Sequence, residues 1–333
     1  MGDVAMLPHA LKELRRNYPD LRITVVTRSL FAPFFDGLGV DFLFMDTKGK
    51  HHGLLGIIRF SKEILSLGVD AVADMHGVFR SRLLTFLLSL HGVHTDHIHK
   101  GKLEKWFRLG YSHDNAVPLR HTVIRYCRVL QRLGFEMDIP KPVEGQQKRD
   151  NPFGTKSGTW IGFAPFSAHE GKTYPAEHRE PLVELLAKKY DHVFIHSGGG
   201  EEKDFAVSME KKYENVTAIY GKVDMRGEMD LIANLDCLIA MDSLAMHLGA
   251  LMGTKVVSIW GATHPQLGFL GYGCDPEGVI QNDFECRPCS IYGKRPCKYK
   301  DYRCIHSITP QMVMEKLDYI LKKNSGVKFM LFD

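Results

Sequence analysis

The run Ile239-Ala240-Met241-Asp242-Ser243-Leu244-Ala245-Met246-His247-Leu248 sends an apolar strand directly into a helix. The first-turn N–H groups of such a helix have no partner within it and lie at the positive end of its dipole, which makes the helix start a phosphate site. Asp242 and Ser243 are also preferred N-cap residues, so simple capping accounts for them equally well. His247 falls one turn on, on the face of Ser243, where a structural histidine is the common case. A second stretch, 164–175, follows another strand and carries Ser167 and Lys172. A lysine ammonium is a point charge that suits a diphosphate. The third, Gly198-Gly199-Gly200-Glu201-Glu202, again follows a strand. Glycines there let a ligand approach the backbone, and acids just beyond, Glu202 in particular, accept from ribose hydroxyls; a plain turn uses the same glycines. All three loops leave strands of one half of the chain, so they converge on one sheet edge and together point to a bound nucleotide.

The elements that must position these loops are legible as short apolar runs alternating with helical patterns. In the first half, residues 22–27 and 70–74 read as strands. Residues 139–157, with Pro140, Pro142, Gly145, Pro152 and Gly154, read as a linker. Beyond it, strands are expected at 159–164, 192–196, 237–241 and 255–260, with helices at 181–190, 243–252 and 310–323. Buried strands alternating with helices make parallel sheets covered on both faces, whose ligand cleft faces the C-terminal strand ends. The expected class is therefore α/β, with two doubly wound parallel-sheet domains at 1–145 and 155–310. The chain opens on a helix at about 6–17, whereas a doubly wound domain opens on a strand. The expectation is a first strand encoded upstream of Met1.

At 333 residues, 44% hydrophobic and 25% charged, the composition is that of a globular protein and excludes disorder, collagen or coiled coil as its architecture. No apolar run reaches the ~18–20 residues needed to span a bilayer, and no secretory signal heads the chain. Seven cysteines, four of them crowded near the end, do not read as a secreted disulfide framework, and the expected location is cytoplasmic. Net charge is uneven. Residues 1–150 hold 22 Lys and Arg against 16 Asp and Glu, while residues 151–333 hold 21 against 23. The basic half suits an anionic partner, although surface scatter gives the same balance. No basic tract dense enough for nucleic acid is present.

Taken together, Gly2-Asp3-Val4, the Lys172 loop, the Gly198–Glu202 turn and the Asp242-Ser243…His247-Leu248 helix start resemble glycosyltransferase family 9, the family of the lipopolysaccharide heptosyltransferases. The segments Asp74-Met75-His76-Gly77-Val78-Phe79-Arg80-Ser81 and Trp260-Gly261-Ala262-Thr263-His264-Pro265 fall in the family's order, and the resemblance spans roughly residues 1–320. It implies a GT-B fold of two Rossmann-like domains, with the closing helix, 311–325, crossing back to the first. It implies inverting transfer of a heptose from ADP-heptose to an anionic, lipid-linked inner-core acceptor, with peripheral contact at the inner leaflet of the cytoplasmic membrane. By motif, Asp3 matches the general base that takes the acceptor hydroxyl's proton. Lys172, with the helix start at Asp242 and Ser243, meets charge on the leaving diphosphate. Ser167, Gly198, Glu202 and His247 line the donor, and Arg80 with Ser81 is the choice for the acceptor's acidic group. No two aspartates stand two positions apart, so no Asp-x-Asp metal motif is present and no cofactor is expected for transfer. Leu244 stands where the family has a small residue and Ala168 where some members have a hydroxyl. Another nucleotide sugar or acceptor, or a non-catalytic binding protein, is therefore the alternative.

Cys286, Cys289, Cys297 and Cys304 have spacing compatible with structural zinc, with reduced thiols or disulfides as the other readings. Lys294, Arg295 and Lys298 nearby are expected to lower their thiol pKa values. The apolar stretch 327–332 is read as packing, pairing as a strand or touching membrane.

Overall fold

The computed structural model describes residues 2–110 and 117–323, so 327–332 lie outside the described residues. The chain divides into two compact units. The first gathers 3–102 and 120–141; the second gathers 103–119 and the chain from 142 onward.

In sequence order the first stretch contains α1 (Gly2–Asn17), β1 (Thr24–Thr27), β2 (Asp41–Phe44), α2 (Gly53–Leu65), β3 (Ala71–Asp74), α3 (Phe79–Ser89), β4 (His94–His97), α4 (Lys102–Trp106) and α5 (Thr122–Arg132). Apolar residues at helical spacing decide which faces turn inward. On α2 these are Ile57, Phe60 and Ile64, on α3 Leu84 and Leu88, and together they form one buried cluster with Val93. On α5 they are Val123, Tyr126, Cys127 and Leu130. The strands form two separate parallel pairs, β1 with β2 and β3 with β4. Among the described residues no strand pairs with the other edge of β1 or of β3. The helix expected from about residue 6 begins at Gly2, which puts Asp3 in its first turn instead of in a loop.

The second unit carries β5 (Trp160–Ala164), α6 (Ala176–Lys189), β6 (His192–Ile195), α7 (Glu201–Lys212), β7 (Val216–Ala218), α8 (Met225–Asn234), β8 (Cys237–Met241), α9 (Leu244–Met252), β9 (Val256–Ile259), β10 (Val279–Ile280), α10 (Arg303–His306) and α11 (Pro310–Lys322). Its six strands form one parallel sheet in the order β10-β9-β8-β5-β6-β7. Every residue of β5 and β8 is buried, as strands covered on both faces must be. The chain runs outward from β5 to β7 and then returns to β8 on β5's other side. That reversal is the topological switch of a doubly wound sheet, and ligands bind outside the strand ends there.

Two segments depart from expectation. Residues 103–119, placed by sequence in the first domain, belong with the second unit. Gly110 N–H donates to Pro288 O at 2.8 Å, Leu119 N–H to Gln266 O at 2.7 Å, and the Lys105 ammonium lies 3.9 Å from the centre of the Phe269 ring. The closing helix, expected to cross back to the first domain, packs on the second unit's own α6 and sheet. Its buried stripe of Val313, Met314, Leu317 and Ile320 completes that unit's core.

Gly253 ends α9 in the left-handed conformation, at φ 70°. A Cβ there would lie 1.9 Å from the carbonyl oxygen of Gly145. Gly253→Ala is expected to destabilise by at least ~1–2 kcal/mol from backbone strain alone. At roughly 2–4 °C per kcal/mol for a unit of this size, the melting temperature falls by at least ~2 °C in differential scanning calorimetry. An unchanged melting temperature would refute the close approach of the 142–147 segment to α9.

Candidate active site

The loops leaving β5 and β8 meet at the switch point because those strands are neighbours in the sheet. Lys172, on the β5 loop, places its Nζ 2.9 Å from Asp242 Oδ2, and both side chains are largely buried. Thr263 Oγ1 donates to the same carboxylate oxygen at 2.8 Å. Ser243 is the N-cap of α9, but its side chain accepts from none of the helix's N–H groups. The capping role that accounts for serine at this position is therefore unused, and the hydroxyl lies beside uncapped first-turn amides. His247 is buried on α9, and Ser167 is half-buried at the start of the β5 loop. That loop is tied by Thr173, whose hydroxyl donates to Ser167 O at 3.0 Å and accepts from Ser167 N–H at 3.2 Å.

Glu202 behaves differently from the sequence expectation. Its Oε2 accepts from Gly198 N–H at 2.7 Å, closing the glycine turn on itself. One carboxylate oxygen is thus committed to shaping the loop. Nearby, Arg179 donates to Tyr174 O at 2.7 Å and lies 4.8 Å from the centre of the Phe166 ring. Burial lowers the guanidinium's pKa, and Glu202 opposes that shift.

Beneath Lys172 lies a support that sequence reasoning missed. Arg287 is fully buried. Its guanidinium donates to Gly261 O at 2.6 Å, Thr263 O at 2.9 Å, Asn282 O at 2.6 Å and Gln281 Oε1 at 3.0 Å. Ala262, between the first two acceptors, donates to Gly171 O at 2.9 Å. The stem of Lys172 runs against Gly293, where a Cβ would lie 2.4 Å from Lys172 Cδ. The loop after β9, the cysteine-bearing loop and the lysine loop therefore hold one another in register. A buried charge is tolerable only with such complete hydrogen bonding. Carbonyl acceptors leave no mark in a sequence, so the one available signal was an arginine placed between Cys286 and Cys289.

That cluster does not form the zinc site considered from sequence. Among the described residues no three His, Cys, Asp or Glu side chains gather as a metal-holding group. All four thiols are free. Cys289 Sγ lies 3.7 Å from Ala262 O, and Cys297 Sγ lies 3.8 Å from Asp301 Oδ1. Nor do the nearby lysines and arginine lower Cys289 or Cys304. Burial raises Cys304 to about 11 and also raises Cys289.

In the first unit the relevant groups gather at the C-terminal ends of β3 and β4. Asp3 Oδ2 lies 3.7 Å from Lys100 Nζ. The Asp3 carbonyl accepts from the buried Tyr126 hydroxyl at 2.9 Å, which anchors the start of α1. Buried Asp74 ends β3. Its Oδ1 accepts from the N–H groups of His76 and Gly77, at 2.9 and 2.8 Å. Burial and Lys100 lower the His76 pKa, while Asp3 and Asp74 oppose the shift, so these four side chains share one neighbourhood. Lys100 escaped the sequence reading, and His76 entered it only inside a family segment with no role, because an isolated lysine or histidine carries no spacing signal. Ser81 serves a different end from the one expected. Its hydroxyl donates to Asp74 Oδ2 at 2.8 Å and accepts from Val78 N–H at 3.1 Å, so it fixes the β3–α3 turn. Arg80, next to it, is exposed.

Known proteins resemble this chain in sequence and in fold. The family model of glycosyltransferase family 9 (heptosyltransferase) matches residues 57–301. Lipopolysaccharide heptosyltransferase 1 of Pseudomonas aeruginosa is 21% identical over 282 residues, covering 79% of this chain and 77% of its own length. A family 9 glycosyl transferase structure from Veillonella parvula superposes with a TM-score of 0.70 at 19% identity, covering 96% of this chain and 94% of its own. The E. coli ADP-heptose lps heptosyltransferase II gives a TM-score of 0.67 at 18% identity, over 96% and 95%. The fold is that of a GT-B glycosyltransferase, built from two Rossmann-like units. The chain belongs to glycosyltransferase family 9 and is a glycosyltransferase.

His264, on the loop that Arg287 holds, accepts from Gln266 N–H at 3.1 Å through Nδ1. Burial, and then the Arg287 charge, push its pKa down to about 4. The unfolded chain, with an ordinary histidine pKa near ~6.5, binds the extra proton first, so folding stability is lost as pH falls from about 6.5 to 4. The loss amounts to roughly 3 kcal/mol. His264→Asn preserves an acceptor for Gln266 N–H. It is expected to flatten the slope of urea-unfolding stability between pH 7 and 4.5. An unchanged slope would remove His264 as its source.

Proposed function

We propose that this glycosyltransferase moves a heptose from ADP-heptose to a sugar hydroxyl of an anionic, lipid-linked lipopolysaccharide acceptor, on the cytoplasmic side of the membrane. The observation that carries the reading is the pairing of Lys172 with the start of α9 at the switch point of the second unit. The family and the names of its relatives support the donor and acceptor classes.

In this reading the diphosphate sits at the α9 start, where the Ser243 hydroxyl, first-turn N–H groups and the Lys172 ammonium face it. Asp242 holds the ammonium in place through its 2.9 Å contact. Gly198 gives the nucleoside access to backbone, and the second oxygen of Glu202 accepts from ribose. Ser167 and His247 flank the donor. The acceptor oxygen attacks the anomeric carbon as the bond from that carbon to the diphosphate oxygen breaks, inverting the centre. The acceptor's proton passes to the Asp3 carboxylate, and negative charge develops on ADP. Arg80 and Lys100 meet the acceptor's acidic groups, Lys100 from its position 3.7 Å from Asp3. Leu244, at the first position of α9, favours the second reading, a different nucleotide sugar at the same site.

Calorimetry with ADP, GDP and UDP separates these readings, and ADP is expected to bind tightest. Lys172→Ala removes one charge-assisted contact of about 1.5–3 kcal/mol and is expected to weaken ADP binding by roughly 10–100-fold. Asp3→Asn is expected to lower kcat by about 10²–10⁴-fold with donor affinity unchanged. Undiminished ADP affinity in Lys172→Ala would dismantle the donor site, and undiminished kcat in Asp3→Asn would end the assignment of the base.

A further inference from the structure

Helices α2 and α3 bury one face each in a shared core of Ile57, Phe60, Ile64, Leu84 and Leu88. Their other faces are not the polar surfaces that a helix on a globular unit normally turns to water. On α2, Leu54, Leu55 and Ile58 are exposed, Leu55 to 79%. On α3 and its C-cap, Phe79, Phe86 and Leu90 are exposed, Phe79 to 78%. Spacings of three and four residues put the three α2 side chains on one strip of helix, and a spacing of four joins Phe86 to Leu90. Bulky apolar side chains gathered on a surface mark an interaction site.

Charge on the same two helices narrows the partner. Arg59 and Lys62 on α2, with Arg80 and Arg82 on α3, are all exposed. The one acid on either helix is Glu63, and it is engaged by Lys50 at 2.6 Å and His51 at 3.3 Å. Ile58 and Lys62 are four apart, as are Leu55 and Arg59 and as are Arg82 and Phe86, so cations alternate with the apolar row. Leucine and phenylalanine that enter acyl chains, flanked by cations that meet headgroup phosphates, are the chemistry of an interfacial helix on an anionic bilayer. A second copy of this chain would bring the same cations face to face.

We propose that the exposed faces of α2 and α3 are a membrane-docking surface, seated on an anionic lipid bilayer through Leu54, Leu55, Ile58, Phe79, Phe86 and Leu90. The surface deepens the lipid-linked acceptor reading, since it brings the first unit to the lipid that carries the acceptor. Its test uses neither donor nor acceptor, so the two can fail separately. The full chain is sedimented with vesicles of phosphatidylglycerol and phosphatidylethanolamine, and with phosphatidylcholine alone. Binding is expected to the anionic vesicles and to weaken at high salt. Leu55→Glu with Phe86→Glu is expected to lower the partition coefficient at least ~tenfold. Arg59→Glu is expected to lower it by about fivefold or more. Leu54→Ser with Leu90→Ser is a milder pair, and for both pairs an unchanged melting temperature and far-ultraviolet circular dichroism establish folding. Absent binding, equal binding by the variants, or equal affinity for phosphatidylcholine overturns the proposal. So does a concentration-dependent dimer that the Leu55→Glu, Phe86→Glu pair abolishes in a chain that ignores vesicles.

Discussion

The contact between the Lys172 ammonium and the Asp242 carboxylate is the constraint around which the second unit's site is arranged. A largely buried ion pair adds little to stability, because desolvation offsets most of its attraction. Its value lies in holding a positive charge at a fixed place beside an uncapped helix start. Much of the surrounding structure serves that placement. β5 and β8 must be neighbours for the two loops to meet. Position 293 must lack a side chain for the lysine stem to pass. Arg287 must hold the carbonyls of Gly261 and Thr263, on either side of the residue bonded to Gly171. The loop that bears the cysteines thus belongs to the scaffold of the lysine, whatever its thiols do.

How far the sequence carried this result depended on whether a residue's task was written in its neighbours. β8 was legible to the residue, because five apolar residues between polar ends have one sensible reading in a parallel sheet. The convergence of Lys172 on the α9 start followed from the same reading, since loops after strands of one sheet share an edge. Arg287 was not legible, because the acceptors that tie it to the loop after β9 are backbone carbonyls of Gly261 and Thr263, more than twenty positions away. Ser81 and Glu202 were found, but the bonds each makes within the fold were not foreseen. Each is a short polar side chain beside a tight turn, and such chains bond the turn's own backbone first, here Val78 N–H and Gly198 N–H. The segment 103–119 was misassigned for the opposite reason. Its attachment to Gln266 and Pro288 runs through backbone groups that no residue type announces.

The basic surplus of residues 1–150 also resolves into particular places. Lys100 stands beside Asp3, Arg125 is buried against the carbonyls of His99 and Arg120, and Arg132 pairs with Asp96. Arg59, Lys62, Arg80 and Arg82 on α2 and α3 are turned to solvent beside exposed apolar side chains. A charge count over half a chain cannot separate these uses; burial and partners can.

The split between β1–β2 and β3–β4 has its own thermodynamic consequence. A parallel strand with a neighbour on one side leaves alternate peptide groups without a ladder partner, and two-stranded ribbons are marginal in isolation. Helices packed on the ribbons, α5 on β3 and β4 among them, supply the holding force in place of a continuous sheet. The two halves of the polypeptide are therefore unequal foldons. Amide protons of 24–27 and 71–74 exchange with solvent through small local openings, whereas those of 160–164 wait for the six-stranded sheet to come apart. Under mild heat or urea the first unit is expected to open before the six-stranded sheet of the second.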